Sequence, residues 1–294
     1  MSEPDPQTVD IKAWIDRARR DPLAYVERQA TEIVLSAIGS IPRYGSRFFL
    51  KGGILMAVVY ESPRGTGDMD FTTDLLAAPD LAEKLRNELD QALPRAAANL
   101  GYPDLVLRVQ TVRERPRPFG GADVSFPALE IRIAYARRDT RAEEWVARGR
   151  GQHVIDLEVS FNEPIHAIQI VRLGAKGPLI SAYGLTDLIA EKFRALLQQV
   201  PRNRYRRQDI YDIAHLVERF ALDESELVAI LASFREKCAA RGIEPTVDSI
   251  SDPRVIERAR SEWNTLKQEI GELPDFDVCF VKVEALYRAL PWVH

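Results

Sequence analysis

One region constrains the fold of this 294-residue chain more than any other, because an apolar run, a double glycine and two alternating acids follow one another there. Phe48-Phe49-Leu50 leads into Lys51-Gly52-Gly53, then comes a short apolar segment, and Arg64-Gly65-Thr66-Gly67-Asp68-Met69-Asp70-Phe71 closes the region. The order predicts a turn at the two glycines and a strand over residues 68–71.

The two acids of that strand predict a metal site. Residues two apart in a strand point to the same side of the sheet, so Asp68 and Asp70 face one side with their Cα atoms roughly 7 Å apart. Such a pair suits Mg²⁺ in phosphoryl or nucleotidyl transfer. Gly52 and Gly53 would let backbone N–H groups approach the phosphates without a Cβ in the way.

The spacing of two acids alone is weak evidence, since Asp275-Phe276-Asp277 repeats it without the glycine context of the first pair. An EF-hand loop is excluded, because Thr72 and Thr73 stand where that loop needs an Asp or Asn and then a glycine. The structural alternative is a polar turn in which Asp68 and Asp70 only cap the backbone or face water.

Composition excludes several classes of protein. The chain is 46% hydrophobic with a net charge of -4, which predicts one large or two ordinary domains and no overall basic field. Cys238 and Cys279 lie far apart and the four His have no zinc-binding spacing, so we expect neither zinc nor disulfides. No apolar run is long enough for a bilayer, and no leader is visible, which predicts a cytoplasmic protein.

Arginines cluster in three places that a nucleic acid could contact despite the acidic net charge. The alternative for each cluster is an ordinary solvated face. The clusters are Arg202, Arg204, Arg206 and Arg207 around Tyr205; Arg108, Arg113, Arg115 and Arg117; and Arg137, Arg138 and Arg141.

The first half of the chain mixes helices and strands. Helices are predicted over residues 8–20, 23–38 and 81–100, and strands over 105–112, 129–135 and 153–161. In the last strand Asp156 and Glu158 share a face, so either could supply a third carboxylate as metal ligand or general base. An edge strand with a wet outer face is the alternative.

After Gly174 the pattern becomes helix after helix, with predicted helices at 185–200, 209–220, 224–240, 254–270 and 278–290. In the first of these, Lys192 falls within an apolar stripe, where it either extends to solvent along its stem or meets phosphate in a cleft. In the next, Asp209 borders the apolar side and Asp212 points away. Asp209 is either an N-cap or a second group that faces the nucleotide.

Four motifs together resemble the AbiEii/AbiGii family of nucleotidyltransferase toxins, and within it the MenT-like mycobacterial subgroup. They are Lys51-Gly52-Gly53; Arg64 to Asp70, which fits the family pattern Arg-x-(Ser or Thr)-x-Asp-(apolar)-Asp at every position; Glu191 to Leu196; and Gln208 to Asp212. Gln208 departs from the family, which usually has Arg there; Arg207 stands beside it.

The resemblance implies an α+β fold: a polymerase β-like nucleotidyltransferase domain, a mixed sheet flanked by helices, followed by a helical C-terminal domain. We place the domains at residues 1–175 and 176–294, with the second contributing Lys192 and Asp209 to the cleft. Metal would bind Asp68, Asp70 and Glu158, which the family pattern favours over Asp156. Nucleotide would contact Lys51, Gly52, Gly53, Arg64, Thr66 and Lys192, and RNA would contact Arg202, Arg204, Arg206 and Arg207.

The implied chemistry is transfer of a nucleoside monophosphate from an NTP to the 3′ end of tRNA, with pyrophosphate release and with two Mg²⁺ ions, or Mn²⁺ in their place. A cognate antitoxin, of the AbiEi type in many such systems, is the implied partner. The alternatives are transfer to a protein or small molecule, a non-catalytic NTP-binding module, and a kinase-like phosphotransferase.

Overall fold

A computed structural model describes residues 5–117, 119 and 125–292 of the chain. These residues form two compact units. The sheet unit comprises the residues up to Glu61, Thr66–Glu163 and Gln169–Ala182. The helical unit comprises Ser62–Gly65, Pro164–Ile168 and the residues from Tyr183 onward. The four residues before Thr66 therefore belong to the helical unit although they lie early in the sequence.

The sheet unit is built on one mixed sheet with the strand order β1-β7-β8-β2-β3-β6-β5-β4. Neighbouring strands run parallel in the pairs β1/β7, β2/β8 and β3/β6, and antiparallel in β2/β3, β5/β6 and β4/β5. The strands are β1 Gln7–Val9, β2 Phe48–Lys51, β3 Asp68–Thr73, β4 Leu105–Arg115, β5 Ala128–Arg137, β6 His153–Phe161, β7 Ile168–Leu173 and β8 Leu179–Tyr183.

Helices cover the apolar side of this sheet. The longest begins after Asp21, whose carboxylate accepts hydrogen bonds from the N–H groups of Leu23 and Ala24. This helix, α2, packs against α5 and β6, and α5 packs against β4. The helices of the unit are α1 Ile11–Asp16, α2 Pro22–Ser40, α3 Pro42–Gly45, α4 Gly52–Val58, α5 Leu81–Asn99 and α6 Arg141–Ala147.

Strand alternation separates the two faces of the sheet. Met69 and Phe71 of β3 and Leu157 and Val159 of β6 are buried in the core. The residues between them, which are acidic on both strands, therefore point to the opposite face. That acid-bearing face is where the sequence predicts chemistry.

A β-bulge changes the facing of strand β4. Up to Val109, which pairs with the buried Ile133, the odd-numbered residues face the core. The register shifts between Val109 and Thr111, and Thr111 pairs with Arg132 on the opposite face. One extra residue in a strand re-aims the side chains that follow it, so Arg113 points to the acid-bearing face.

The helical unit packs around α7, which contacts α8, α9 and α10, while α12 packs on α8. Aromatic rings fill its centre, with Phe193, Phe234 and Tyr287 in mutual contact. Its helices are α7 Leu185–Gln198, α8 Arg207–Arg219, α9 Glu224–Ala239, α10 Pro253–Arg260, α11 Lys267–Ile270 and α12 Phe276–Ala289, with 3₁₀ segments at Ser249–Ser251 and Trp263–Leu266. In the described ranges every helix falls short of the length and apolar character that crossing a bilayer requires.

Two predicted helices are wrong in part. The segment predicted as a helix over residues 8–20 is first a strand, because β1 pairs with β7, and Asp10 then caps a short helix. The segment predicted as a helix over 254–270 breaks at Glu262, which adopts a left-handed φ of 58°. The break lets Trp263 pack edge-on against Phe276 and donate its indole N–H to the Pro274 carbonyl.

Candidate active site

The parallel pairing of β3 with β6 brings four carboxylates together on the acid-bearing face. Asp68 pairs with Asp156, and Asp70 pairs with Glu158. Paired residues of neighbouring strands point to the same side and lie roughly 4.8 Å apart at Cα. The predicted strand at the first acid pair is therefore confirmed, and both candidates for the third acid lie beside it.

Residues of the motif that follows leave no room for a side chain at positions 52 and 53. Gly52 has a φ of +68°, and a Cβ there would lie 2.3 Å from the Oδ2 atom of Asp70. A Cβ on Gly53 would lie 2.5 Å from the hydroxyl of Thr66. The double glycine thus makes room for the Asp70 carboxylate and the Thr66 hydroxyl, a steric role that the sequence did not reveal.

The four acids differ in their electrostatic surroundings. Burial, followed by repulsion from the Asp156 carboxylate, raises the pKa of Asp68 above its usual range. Asp156 is held by Arg132, whose Nε lies 3.1 Å from Oδ1. Glu158 makes no ion pair with any residue that the structure describes. Glu158 is therefore the better placed of the two candidates to accept a cation.

The carboxylates fit a hard divalent cation that takes its remaining ligands from water and substrate. Among the described residues, no three His, Cys, Asp or Glu side chains converge into a ready-made metal site. Mg²⁺ typically takes one or two protein carboxylates and completes its shell with water and phosphate oxygens. Asp68, Asp70 and Glu158 supply carboxylate oxygens on one face, which agrees with this preference for oxygen ligands.

Lys51, at the end of β2, is already engaged within the sheet unit. Its ammonium group lies 2.5 Å from the Glu163 carboxylate and donates to the Ser160 hydroxyl at 3.3 Å. Sequence patterns do not identify Glu163 as its partner, because the two residues lie far apart in the chain. That Lys51 also binds nucleotide remains a prediction.

Lys192 lies in a buried ion cluster of the helical unit. Its side chain is only 6% exposed, and its ammonium group donates to Asp209 at 3.1 Å and to Asp212 at 2.6 Å. Burial would lower the pKa of Lys192, but the two carboxylates outweigh burial and raise it. The stem does not carry the charge to solvent, so the alternative of an extended surface lysine is wrong.

Two expectations for α8 need correction. Asp209 does not cap the helix, because the N-cap is Arg206 and Asp209 lies in the first turn. Asp212 does not point away from the core, since its side chain is fully buried between Lys192 and Arg64. Every residue from Asp209 to Ala214 is buried, so a one-sided apolar pattern could not identify the buried acids.

Arg64, predicted to contact nucleotide, is the second cation of this cluster. Its Nε and Nη2 atoms donate to the two oxygens of Asp212 at 3.1 and 3.2 Å, and Nη1 donates to Glu269 at 3.3 Å. The neighbouring N–H of Gly65 donates to the Glu269 carbonyl. These bonds fix Ser62–Gly65 to the helical unit, while nucleotide binding by Arg64 remains a prediction.

The arginine cluster before α8 divides into two parts. Arg202 and Arg204 are exposed, whereas Arg206 and Arg207 are partly buried and lie 3.9 and 3.8 Å from the carboxylates of Asp209 and Glu262. The Tyr205 ring is exposed and has the guanidinium of Arg258 over it. Binding of RNA by this cluster remains a prediction.

Solved structures share this fold. MenT4, a nucleotidyltransferase toxin from Mycobacterium tuberculosis H37Rv, matches over 97% of this chain and 90% of its own, with a TM-score of 0.57 and 15% identity. JHP933 from Helicobacter pylori matches over 92% of each chain, with a TM-score of 0.51 and 14% identity. The predicted fold class, a mixed sheet flanked by helices and followed by further helices, is confirmed.

Sequence comparison identifies the family. A search among curated proteins finds no significant match. The sequence model of the family described as "Nucleotidyl transferase AbiEii toxin, Type IV TA system" matches residues 33–282, which include all four motifs. The chain therefore belongs to the AbiEii family of nucleotidyltransferase toxins from type IV toxin-antitoxin systems.

Proposed function

We propose that this nucleotidyltransferase moves a nucleoside monophosphate from an NTP onto the 3′ end of tRNA and thereby blocks translation. In this reaction the oxygen of the terminal hydroxyl forms a bond to the α-phosphorus of the NTP. The bond between that phosphorus and the bridging oxygen breaks, and pyrophosphate leaves. The hydroxyl proton passes to a carboxylate, a role that we assign to Glu158.

The register of β3 and β6 is the strongest support for this function. It gives one sheet face the carboxylates of Asp68, Asp70 and Glu158, beside a glycine turn shaped around Asp70. A polar turn that only caps or faces water would not require a glycine at the one position where a Cβ meets the acid.

Asp68, Asp70 and Glu158 would hold the metal, which we propose to be two Mg²⁺ ions, with Mn²⁺ as a substitute. When bound, the ions supply positive charge against the triphosphate and the attacking hydroxyl. Thr66 and the backbone of Gly52 and Gly53 would contact the phosphates.

Lys192 and Asp209 are assigned to the nucleotide by the family resemblance, and the chemistry of their cluster supports the assignment. The neighbouring carboxylates keep Lys192 cationic although it is buried, which suits a group that neutralises phosphate. The Oδ2 atom of Asp209 is buried and has no hydrogen-bond partner among the described residues. A buried acceptor of this kind is suited to a ligand donor.

A type IV toxin has a cognate antitoxin, and we propose a protein of the AbiEi type as the partner of this chain. The acceptor and the partner both rest on the family resemblance. Chemistry at the acid-bearing face is compatible with any hydroxyl acceptor, so the acceptor is the part that the experiment must decide.

The test incubates the purified protein with Mg²⁺, total tRNA and each α-labelled NTP in turn. We expect labelled tRNA and free pyrophosphate, and no label on tRNA whose 3′-terminal diol has been oxidised with periodate. Asp70→Ala should abolish labelling, whereas Asp277→Ala, from the acid pair without glycines, should label like the wild type.

Each alternative function gives a different product. Label on protein or on a small molecule would replace tRNA as the acceptor, and release of a nucleoside diphosphate would indicate a kinase. Tight NTP binding without pyrophosphate release in the presence of any RNA would indicate a binding module. Undiminished labelling by Asp70→Ala would refute the proposed site.

A further inference from the structure

The acid-bearing face continues into a groove of about 410 Å³. Beyond β3 and β6, the groove crosses β5, where Glu130 and Arg132 line it, and reaches β4, where Thr111 and Arg113 line it. The β3 and β6 end is lined by carboxylates, whereas the β5 and β4 end carries two guanidinium groups together with the Glu130 carboxylate. All of these residues belong to the sheet unit.

The arginines of the groove differ in how their charge is used. Arg132 is paired with Asp156, and Glu130 is paired with Arg115 at 2.7 Å. Arg113 makes no ion pair with any described residue, although it lies opposite Glu130 in the strand register. The far end of the groove therefore offers a guanidinium group whose charge no carboxylate of the described chain balances.

The bulge in β4 is what places this arginine in the groove. Without the register shift after Val109, the alternation of Leu105, Leu107 and Val109 would direct Thr111 and Arg113 towards the core. Bulges are frequent beside active sites, where they re-aim a side chain. The irregularity after Val109 therefore lies a few residues before Arg113 on the edge strand of the sheet, and Arg113 has no ion-pair partner among the described residues.

The groove and the glycine turn lie on opposite sides of β3. In the sheet order, β2 with Lys51 and the turn at Gly52 is on one side of β3, and β6, β5 and β4 are on the other. If the turn contacts the NTP, as proposed above, the acceptor binds on the side of β3 where the groove lies. Arg113 lies two strands from Glu158, about 10 Å away at the strand spacing of a sheet.

We propose that the groove binds the sugar-phosphate backbone of a nucleic-acid acceptor, and that Arg113 binds one of its phosphates. Arginine matches phosphate geometry with two parallel N–H donors, and a phosphate would supply the counter-charge that no described residue gives Arg113. This inference rests on the proposed function and names the part of the sheet unit that positions its acceptor.

The test measures tRNA binding without NTP over a range of salt concentrations, for the wild type, Arg113→Ala and Arg113→Gln. Loss of one phosphate contact should weaken binding about tenfold at moderate salt and reduce the slope of log K against log[salt] by about 0.7 to 0.9. Arg113→Lys, which keeps the charge, should retain most of the slope. Arg20→Ala, an exposed arginine outside the groove, should match the wild type.

Three results separate this inference from the proposed function. NTP affinity should be unchanged in Arg113→Ala and Arg113→Gln, since Arg113 acts on the acceptor. Wild-type affinity and slope in both variants, while the wild type labels tRNA, would overturn the role of Arg113 and leave the function standing. Label on a protein or small molecule and none on RNA would overturn both.

Discussion

The α-carbon of Gly52 and the carboxylate of Asp70 lie so close that a methyl group on Gly52 would be 2.3 Å from Oδ2. Gly52→Ala should therefore displace the carboxylate by an ångström or so and lower kcat about 100-fold, the order of effect that such a misplacement has in enzymes. Initial-rate measurements at saturating NTP would show this.

The control for that substitution is Gly149→Ala. Gly149 has the same φ of +68°, but a Cβ there meets nothing within 4 Å. Both variants should lose about 1 kcal/mol of unfolding free energy from backbone strain, and only Gly52→Ala should lose activity. Equal activity of the two variants would show that Gly52 is kept for its backbone conformation alone.

The chain contains its own control for the acid pair. Asp70→Asn should lower the rate about 1,000-fold or more, since the carboxylate charge at the metal is worth several kcal/mol. Asp275 instead caps α12 through the N–H of Asp277. Asp275→Ala should cost about 1 kcal/mol of unfolding free energy and leave the rate unchanged, as thermal denaturation and a rate assay would determine.

The choice between Glu158 and Asp156 as the third acid can be tested by two isosteric variants. Glu158→Gln should reduce activity as severely as Asp70→Asn, because Glu158 has no cation of its own among the described residues. Asp156→Asn should lose less than tenfold, since Asp156 is already paired with Arg132. A reversed order of severity in Mg²⁺ titrations of the rate would assign the metal to Asp156.

Asp212 should be the most important single acid for the stability of the helical unit. Removing one partner from a buried ion cluster leaves an uncompensated charge, so Asp212→Asn should lower the unfolding free energy by about 3–5 kcal/mol. Burial raises the pKa of Asp212, but Lys192 and Arg64 outweigh burial and lower it. Urea denaturation at pH 7 measures the loss.

The lowered pKa of Asp212 also determines how the stability of the protein should change with pH. Its contribution to stability is present above the unfolded pKa of about 3.9 and is lost as the pH falls through the lower folded pKa. Asp212→Asn should therefore lose less stability than the wild type when the pH falls from 7 to 3. An identical loss in the two proteins would contradict the role given to this carboxylate.

Local patterns predicted much of the fold and part of the site. Alternation over residues 153–161 gave strand β6 with its bounds, and apolar spacing gave α2, α5 and α7 to within a few residues. The facing of Asp68 and Asp70 followed from the same alternation. Such patterns predict structure correctly where one side of a strand or helix is buried along its whole length.

Patterns failed where the chain departs from a regular period. The alternation in β4 would assign Arg113 to the core, and only the pairing of Thr111 with Arg132 shows that the facing has changed. The burial of Asp212 was not predicted, because α8 is buried on most sides in its first turns. An apolar stripe therefore could not separate buried acids from exposed ones. Both residues are positioned by contacts with distant parts of the chain.

The neighbouring strands β3 and β6 are adjacent in the sheet, but residues 74–152 separate them in the chain. Asp70 therefore gains Glu158 as a neighbour only through a long-range contact, which forms late compared with local structure. During synthesis, a polypeptide that stops before His153 carries the glycine turn and the first acid pair without strand β6, which supplies Glu158. Translation products that end before β6 should therefore lack nucleotidyl-transfer activity, however well their first half folds.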